Sequence, residues 1–109
     1  KNVYGKPERV TPELVDLYYD ITRSEGNRAA LGQRFKTMRP ADTSKLSSLK
    51  MPTLILWGGQ DRLIPPANGE RFERVIADSK RIVFPELGHV PHEEDPAQTI
   101  KPVRDFLGL

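Results

Sequence analysis

The sequence has 109 residues, of which 37% are hydrophobic and 29% are charged, and it contains no cysteine. Its 17 basic and 15 acidic side chains give a net charge of +2, and because both signs are interspersed, the chain lacks the basic stripe typical of nucleic-acid-binding proteins. No apolar run approaches the roughly 20 residues of a membrane-spanning helix, and the lack of cysteine excludes disulfides, thiolate nucleophiles and zinc–sulfur sites.

The first third of the chain has a helical pattern. Thr11 is expected to be the N-cap of a helix with Pro12 in its first turn, where the missing proline N–H costs nothing. Apolar residues then recur at helical spacing until Gly26, which we expect to end this helix. Asn27 is expected to cap a second helix that stops before Pro40.

The larger apolar side chains of these two helices are expected to form a helix–helix core. They are Tyr18, Tyr19, Phe35 and Met38. Residues 40–52 are polar and interrupted by prolines, so they are expected to be a connector with a short helical turn near residues 44–49.

The pattern then changes to that of a parallel sheet. Residues 53–57 (TLILW) form a continuous apolar run that ends at two glycines, as expected for a strand covered on both faces. A helix is predicted from Pro66, a second strand at residues 81–84, and a last helix after the N-cap Asp95, with Pro102 expected to kink or delay it. This order predicts an α/β fold with a βαβα unit.

Two parallel strands are too few for a stable sheet. The apolar strand at residues 53–57 therefore needs neighbours that the sequence does not contain. We expect the chain to be part of a longer parent protein. The alternative is a non-catalytic interaction module that completes its sheet edge with a partner or with a second copy of itself.

Each predicted strand is followed by a loop that carries an ionisable residue. The loops are WGGQDRLIP at residues 57–65 and GHVPHEEDP at residues 88–96, and functional groups in open parallel sheets collect beyond the carboxyl ends of strands. Asp61 could accept a hydrogen bond from one ring nitrogen of His89. That bond would fix the tautomer, so that the other nitrogen can take a proton from a nucleophile and return it to a leaving group.

The neighbouring residues have simpler interpretations. A metal site made of His89, His92 and Glu93 is conceivable, but the spacing is not that of a zinc-binding helix and a proline separates the two histidines. We therefore expect no metal, with His92 as a loop contact or cleft lining. Trp57 is expected in the core, and Glu94 is expected to tie the histidine loop to backbone amides or to cap the last helix.

The two motifs, strand–W-G-x-x-D-x-φ-φ-P followed by G-H-x-P-x-x-E-x-P, resemble the C-terminal portion of an α/β-hydrolase. The resemblance implies that Asp61 is the acid and His89 the base of a catalytic triad, with the nucleophile upstream because the family order is nucleophile, acid, histidine. It covers residues 50–109 well, as the C-terminal βαβα part of the hydrolase core. Residues 1–49 resemble, more loosely, the tail of a helical cap and its connector.

The sequence departs from the family in lacking the nucleophile. No serine lies in G-x-S-x-G and no aspartate in G-x-D-x-G, and the oxyanion-hole loop belongs to the family's N-terminal half. We expect this chain alone to be inactive. The parent is expected to hydrolyse a small, largely apolar ester or related substrate without metal or organic cofactor. An aspartate nucleophile would shift the reaction towards epoxides or haloalkanes. With no signal peptide visible, a cytoplasmic location is expected.

Overall fold

The computed structural model describes residues 2–38 and 43–109. The chain divides into two compact units: Lys1–Arg9 together with Thr43–Leu109, and Val10–Asp42. We call them the sheet unit and the helical unit. The boundary predicted between cap and core, at residues 49 and 50, stays a prediction.

The helical unit contains two helices, α1 (Pro12–Arg23) and α2 (Asn27–Thr37). The predicted start of α1 is confirmed, because the side chain of Thr11 accepts a hydrogen bond of 3.2 Å from the backbone N–H of Leu14. Helix α2 ends at Thr37, before Pro40 as predicted.

The turn between the two helices differs from the prediction. α1 already ends at Arg23, and Gly26 is the N-cap of α2 with a φ of 83°, a left-handed conformation that favours glycine. The cap predicted at Asn27 is therefore wrong. Asn27 is the first helical residue, and its side-chain amide donates a 2.7 Å hydrogen bond back to the carbonyl of Ile21.

The predicted helix–helix core is also wrong, because neither α1 nor α2 contains a buried residue. The four large side chains proposed for it remain between 45% and 63% exposed. They are Tyr18, Tyr19, Phe35 and Met38. One pair of short helices offers too little surface to enclose such side chains, since a core requires packed layers around it.

The sheet unit contains the α/β part of the chain. Its elements are 3-10 helices at Pro7–Arg9 and Ser44–Ser48, strands β1 (Thr53–Gly58) and β2 (Ser79–Phe84), and helices α3 (Ala67–Val75), α4 (Pro91–Glu94) and α5 (Pro96–Leu107). The two strands pair in parallel, in a register that runs from Thr53 opposite Ser79 to Gly58 opposite Phe84. The predicted α/β class and its parallel βαβα unit are confirmed.

Helix α3 is held against the sheet by packing and by charge. Gly69 lets the helix approach the indole of Trp57, since a Cβ atom there would lie 2.9 Å from Cε3, and the Trp57 and Phe72 ring centroids are 6.1 Å apart. The carboxylate of Glu73 accepts hydrogen bonds from the backbone N–H and the Nε–H of Arg81, at 3.1 and 2.9 Å. Together these contacts fix α3 to both strands.

The last helix begins as predicted. The side chain of Asp95 accepts a 3.0 Å hydrogen bond from the backbone N–H of Gln98, and Pro96 is the first helical residue. Pro102 lies inside α5 and does not delay it, and the alternative, a kink at this residue, stays a prediction. Asp95 stabilises the helix from its first turn, and a proline within the helix removes only one backbone donor. Within residues 2–38 and 43–109, no helix combines the length and apolarity needed to cross a lipid bilayer.

Replacing Gly58 by Ala is expected to destabilise the sheet unit by about 3 kcal/mol or more. A Cβ atom at this position would lie 1.8 Å from the carbonyl oxygen of Gly88 and 2.5 Å from that of Leu87, so the two loops beyond the strands would separate. Urea unfolding measures the change. The matched variant Gly32→Ala, in α2 with nothing within 4 Å, should instead raise helix content slightly. A Gly58→Ala variant as stable as the wild type would contradict this account.

Candidate active site

Asp61 lies in the loop that follows β1, and its side chain is only 5% exposed. The loop folds over the carboxylate, so that the backbone N–H groups of Leu63 and Ile64 donate to Oδ1 at 2.9 and 2.8 Å. The indole N–H of Trp57 supports the same loop by donating to the carbonyl of Ile64 at 3.2 Å. One carboxylate oxygen is thus held by the loop itself, and Oδ2 faces the next loop.

His89 lies in the loop that follows β2, next to Asp61. Its Nδ1 is 2.9 Å from Oδ2 of Asp61, although 28 residues separate the two in sequence. The side chain of His89 is 33% exposed, whereas that of Asp61 is 5% exposed. The imidazole is therefore hydrogen-bonded to a buried carboxylate and is itself accessible to solvent. The hydrogen bond expected from the sequence between these two residues is present.

The pair has a defined charge distribution. Burial acts to raise the pKa of Asp61, but the hydrogen bonds from Ile64, His89 and Leu63 outweigh it and hold the pKa below its ordinary value. Asp61 is therefore ionised at neutral pH, which places the proton of the shared hydrogen bond on Nδ1 of His89. In the neutral imidazole with its proton on Nδ1, Nε2 carries the lone pair and can accept a proton.

The two loops are joined through their backbones. The N–H groups of Gly59 and Gln60 donate to the carbonyls of Phe84 and Leu87 at 2.7 and 2.8 Å. Because Gly58 has no side chain to separate them, the loops approach closely enough for the carboxylate and the imidazole to meet. The parallel register of β1 and β2 puts both loops at the same edge of the sheet, as open α/β sheets require.

A small cavity of about 120 Å³ adjoins the pair. Its lining includes Asp61 and His89 together with Leu56, Trp57, Gly58, Ile64 and Pro91. A larger and mostly apolar cavity of about 420 Å³ lies between β1 and α5 and contains neither member of the pair. The pair therefore adjoins the small cavity, whereas the large one is lined mainly by residues of α5.

Two further residues singled out from the sequence are His92 and Trp57. His92 is on α4, exposed, and lines the larger cavity, in agreement with its expected role as cleft lining. In the part of the chain that the structure describes, no three His, Asp or Glu side chains are grouped so that they could hold a metal ion. Trp57 is half-buried against α3, where it also lines the small cavity.

Sequence reasoning missed the N-terminal residues of the site. Residues 3–9, which we call the strap, lie against the histidine loop, and Tyr4 is 5% exposed. The carbonyl of Val3 accepts a 2.6 Å hydrogen bond from the backbone N–H of His89, and the Tyr4 hydroxyl donates to Glu93 at 2.7 Å. A short segment without periodicity gives no signal of such packing. The sequence signal for this packing was Glu94, which was expected to bind backbone amides but without an indication of which ones.

The parallel sheet and the carboxylate–imidazole pair beyond its strands define a class of protein, the hydrolases built on open α/β sheets. The model of the alpha/beta hydrolase fold family matches residues 9–96. This chain belongs to that family.

Individual relatives agree with this assignment. The chain is 27% identical over 108 residues to an uncharacterized hydrolase of Bacillus subtilis. This match covers 97% of this chain and 39% of the hydrolase. It is 32% identical over 112 residues to a monoacylglycerol lipase of Bos taurus, covering 93% of this chain and 30% of the lipase. The chain therefore spans less than half the length of these relatives.

The fold is also found in solved structures. The crystal structure of a serine hydrolase involved in carbazole degradation superposes with a TM-score of 0.81 at 23% sequence identity, over 91% of this chain and 40% of that one. At this identity the likeness concerns the fold. It agrees with a partial α/β-hydrolase fold.

Proposed function

We propose that this chain supplies the acid and the base of a longer α/β-hydrolase, in which Asp61 orients His89 and an upstream residue is the nucleophile. The observation that carries the proposal is the 2.9 Å hydrogen bond between Oδ2 of Asp61 and Nδ1 of His89. The substrate class is a small, largely apolar ester or a related compound. The lipase among the relatives and the apolar side chains around the small cavity support this class.

The proposed reaction uses His89 twice. Nε2 takes the proton of the nucleophile as it attacks the acyl carbon, and the resulting imidazolium, stabilised by ionised Asp61, gives that proton to the leaving alcohol. Nε2 then takes a proton from water, whose oxygen attacks the acyl carbon of the acyl-enzyme. The imidazolium gives this proton to the nucleophile oxygen as its bond to the acyl carbon breaks, which releases the acid and restores the nucleophile. With an aspartate nucleophile, only this second half would use His89. No step requires a metal or an organic cofactor.

The proposal is tested with the parent protein and this chain side by side. The complete reading frame that encodes the chain is expected to release p-nitrophenol from p-nitrophenyl butyrate, and a phosphonate probe should label a serine upstream of Lys1. The 109-residue chain should do neither, because no residue in it has the flanking pattern of a nucleophile. Turnover by the chain alone at the rate of the parent would refute the division of roles.

A second proposal is an interaction module, and one observation favours it. The sheet formed by the described residues has two strands, which leaves an edge of both β1 and β2 open to strand addition. In this case the chain would associate with itself or with a partner. Size-exclusion chromatography distinguishes the two, since a concentration-dependent dimer together with an inactive parent would favour association, and a monomer would exclude self-association.

A further inference from the structure

Glu94 occupies an unusual position, at the end of α4 and beneath the histidine loop. It is only 6% exposed, although an isolated carboxylate is costly to bury. Its partners are three backbone N–H groups. Oε2 accepts from Gly88 at 2.7 Å and from Gly5 at 3.0 Å, and Oε1 accepts from Lys6 at 2.8 Å.

These partners belong to two distant segments. Gly88 immediately precedes His89, whereas Gly5 and Lys6 lie in the strap, at a sequence separation from Glu94 of 89 and 88 residues. A single oxygen, Oε2, therefore joins the strap to the histidine loop. Hydrogen bonds from neutral donors to a charged acceptor are stronger than ordinary ones, so one buried charge can hold both segments.

The strap in turn holds His89 itself. The carbonyl of Val3 accepts the backbone N–H of His89 at 2.6 Å. Two consecutive backbone N–H groups of the histidine loop are thus anchored, that of Gly88 directly by Glu94 and that of His89 by the segment that Glu94 binds. With its backbone fixed on this side, the imidazole is fixed on the other by Asp61 at 2.9 Å.

Close packing leaves the strap little freedom to shift. A Cβ atom at Gly5 would lie 2.2 Å from the carbonyl oxygen of Glu86, and one at Gly88 would lie 2.3 Å from that of Val3. The two backbones are therefore in direct contact. Further along the strap, Arg9 donates to the Glu94 carbonyl at 3.1 Å and to the Asp95 carboxylate at 3.0 Å.

We infer that Glu94 is a positioning residue, whose buried carboxylate clamps the strap against the histidine loop and thereby sets the place of His89 relative to Asp61. The inference rests on the proposed function for its catalytic consequence, but the clamp itself is a property of this chain. Glu94 does not line the small cavity beside the pair, so it acts through His89 and not on a substrate.

The first test is spectroscopic and does not depend on activity. In the parent protein, the proton on Nδ1 of His89 should give a low-field NMR signal, because it is hydrogen-bonded to the buried carboxylate of Asp61. Glu94→Gln, which turns an amide N–H₂ towards donors, should broaden or remove this signal while the circular dichroism spectrum is retained. The control Glu86→Gln removes the exposed ion pair between Glu86 and Lys6 of the same strap and should keep the signal.

The second test is kinetic and uses the parent protein. Glu94→Gln is expected to lower kcat by roughly 10- to 100-fold, the effect of a misplacement of about 1 Å, with KM for p-nitrophenyl butyrate unchanged. Gly5→Ala, which displaces the strap by steric overlap and leaves the carboxylate intact, should reproduce this result. If Glu94→Gln does not fold, the kcat and KM of Gly5→Ala alone test the positioning role.

The outcomes separate this inference from the proposed function. An unchanged kcat in Glu94→Gln, in a parent that His89→Ala inactivates, would overturn the positioning role. So would a Nδ1 proton signal that both Glu94→Gln and Gly5→Ala leave intact. A wild-type parent without esterase activity counts against the proposed function only, and the NMR comparison then decides the role of Glu94.

Discussion

Replacing His89 by Ala in the parent protein is expected to lower kcat for ester hydrolysis by roughly 10⁴- to 10⁶-fold, as removal of a triad histidine does in serine hydrolases. The imidazole is the proposed base of the site and is held by Asp61 through Nδ1, and alanine would leave no group to take the proton of the nucleophile. Steady-state kinetics with p-nitrophenyl butyrate measures the loss. KM should change little, since the side chain acts on proton transfer.

The matched control is His92→Ala. His92 is three residues away but exposed, and it lines the larger cavity instead of the small one. Its removal should leave kcat within about twofold of the wild type, as is usual for an exposed residue outside the site. Near-normal activity of His89→Ala, or equal losses in the two variants, would remove the basis for the proposed triad.

Replacing Asp61 by Asn is expected to lower kcat by roughly 10⁴-fold while the fold persists. The amide oxygen can still accept from Leu63 and Ile64, but an N–H₂ group opposite Nδ1 of His89 favours the tautomer with its proton on Nε2. That nitrogen then cannot act as a base. The control Asp78→Asn makes the same chemical change at an exposed aspartate and should retain activity.

The same variant tests the electrostatics of the site. Because hydrogen bonds hold the pKa of Asp61 below its ordinary value, its ionised form stabilises the folded state above that ordinary value. This contribution is lost as the pH falls through the lowered pKa. The difference in urea midpoint between wild type and Asp61→Asn should therefore be larger at pH 7 than at pH 3. An equal difference at both pH values would contradict the assignment.

Much of the sheet unit was predictable, because its signals are local. The apolar run at residues 53–57 and the loops after both strands predicted the parallel pair and the contact between Asp61 and His89. Both are present in the structure. The catalytic role of these residues stays a proposal, since a hydrogen bond defines an arrangement and not a reaction.

The predictions that failed concerned packing and turn geometry. Whether Gly26 or Asn27 caps α2 depends on which backbone adopts the left-handed conformation, and the composition of the turn permits either. The short helix α4 was not predicted, because one turn is too brief to show periodicity. The two-helix core failed because spacing shows which side chains share a face, but not what covers that face.

The sequence by itself predicted the two strands and the longer helices of the sheet unit and the two residues that we propose as acid and base, since strand patterns and loop motifs are encoded in neighbouring residues. Tertiary structure alone revealed the strap. The three amides that share the carboxylate of Glu94 come from both ends of the chain, and a backbone N–H has no signature in a sequence. A buried carboxylate accepts hydrogen bonds from the N–H groups that lie next to it in the folded chain. Only the tertiary structure shows which N–H groups these are.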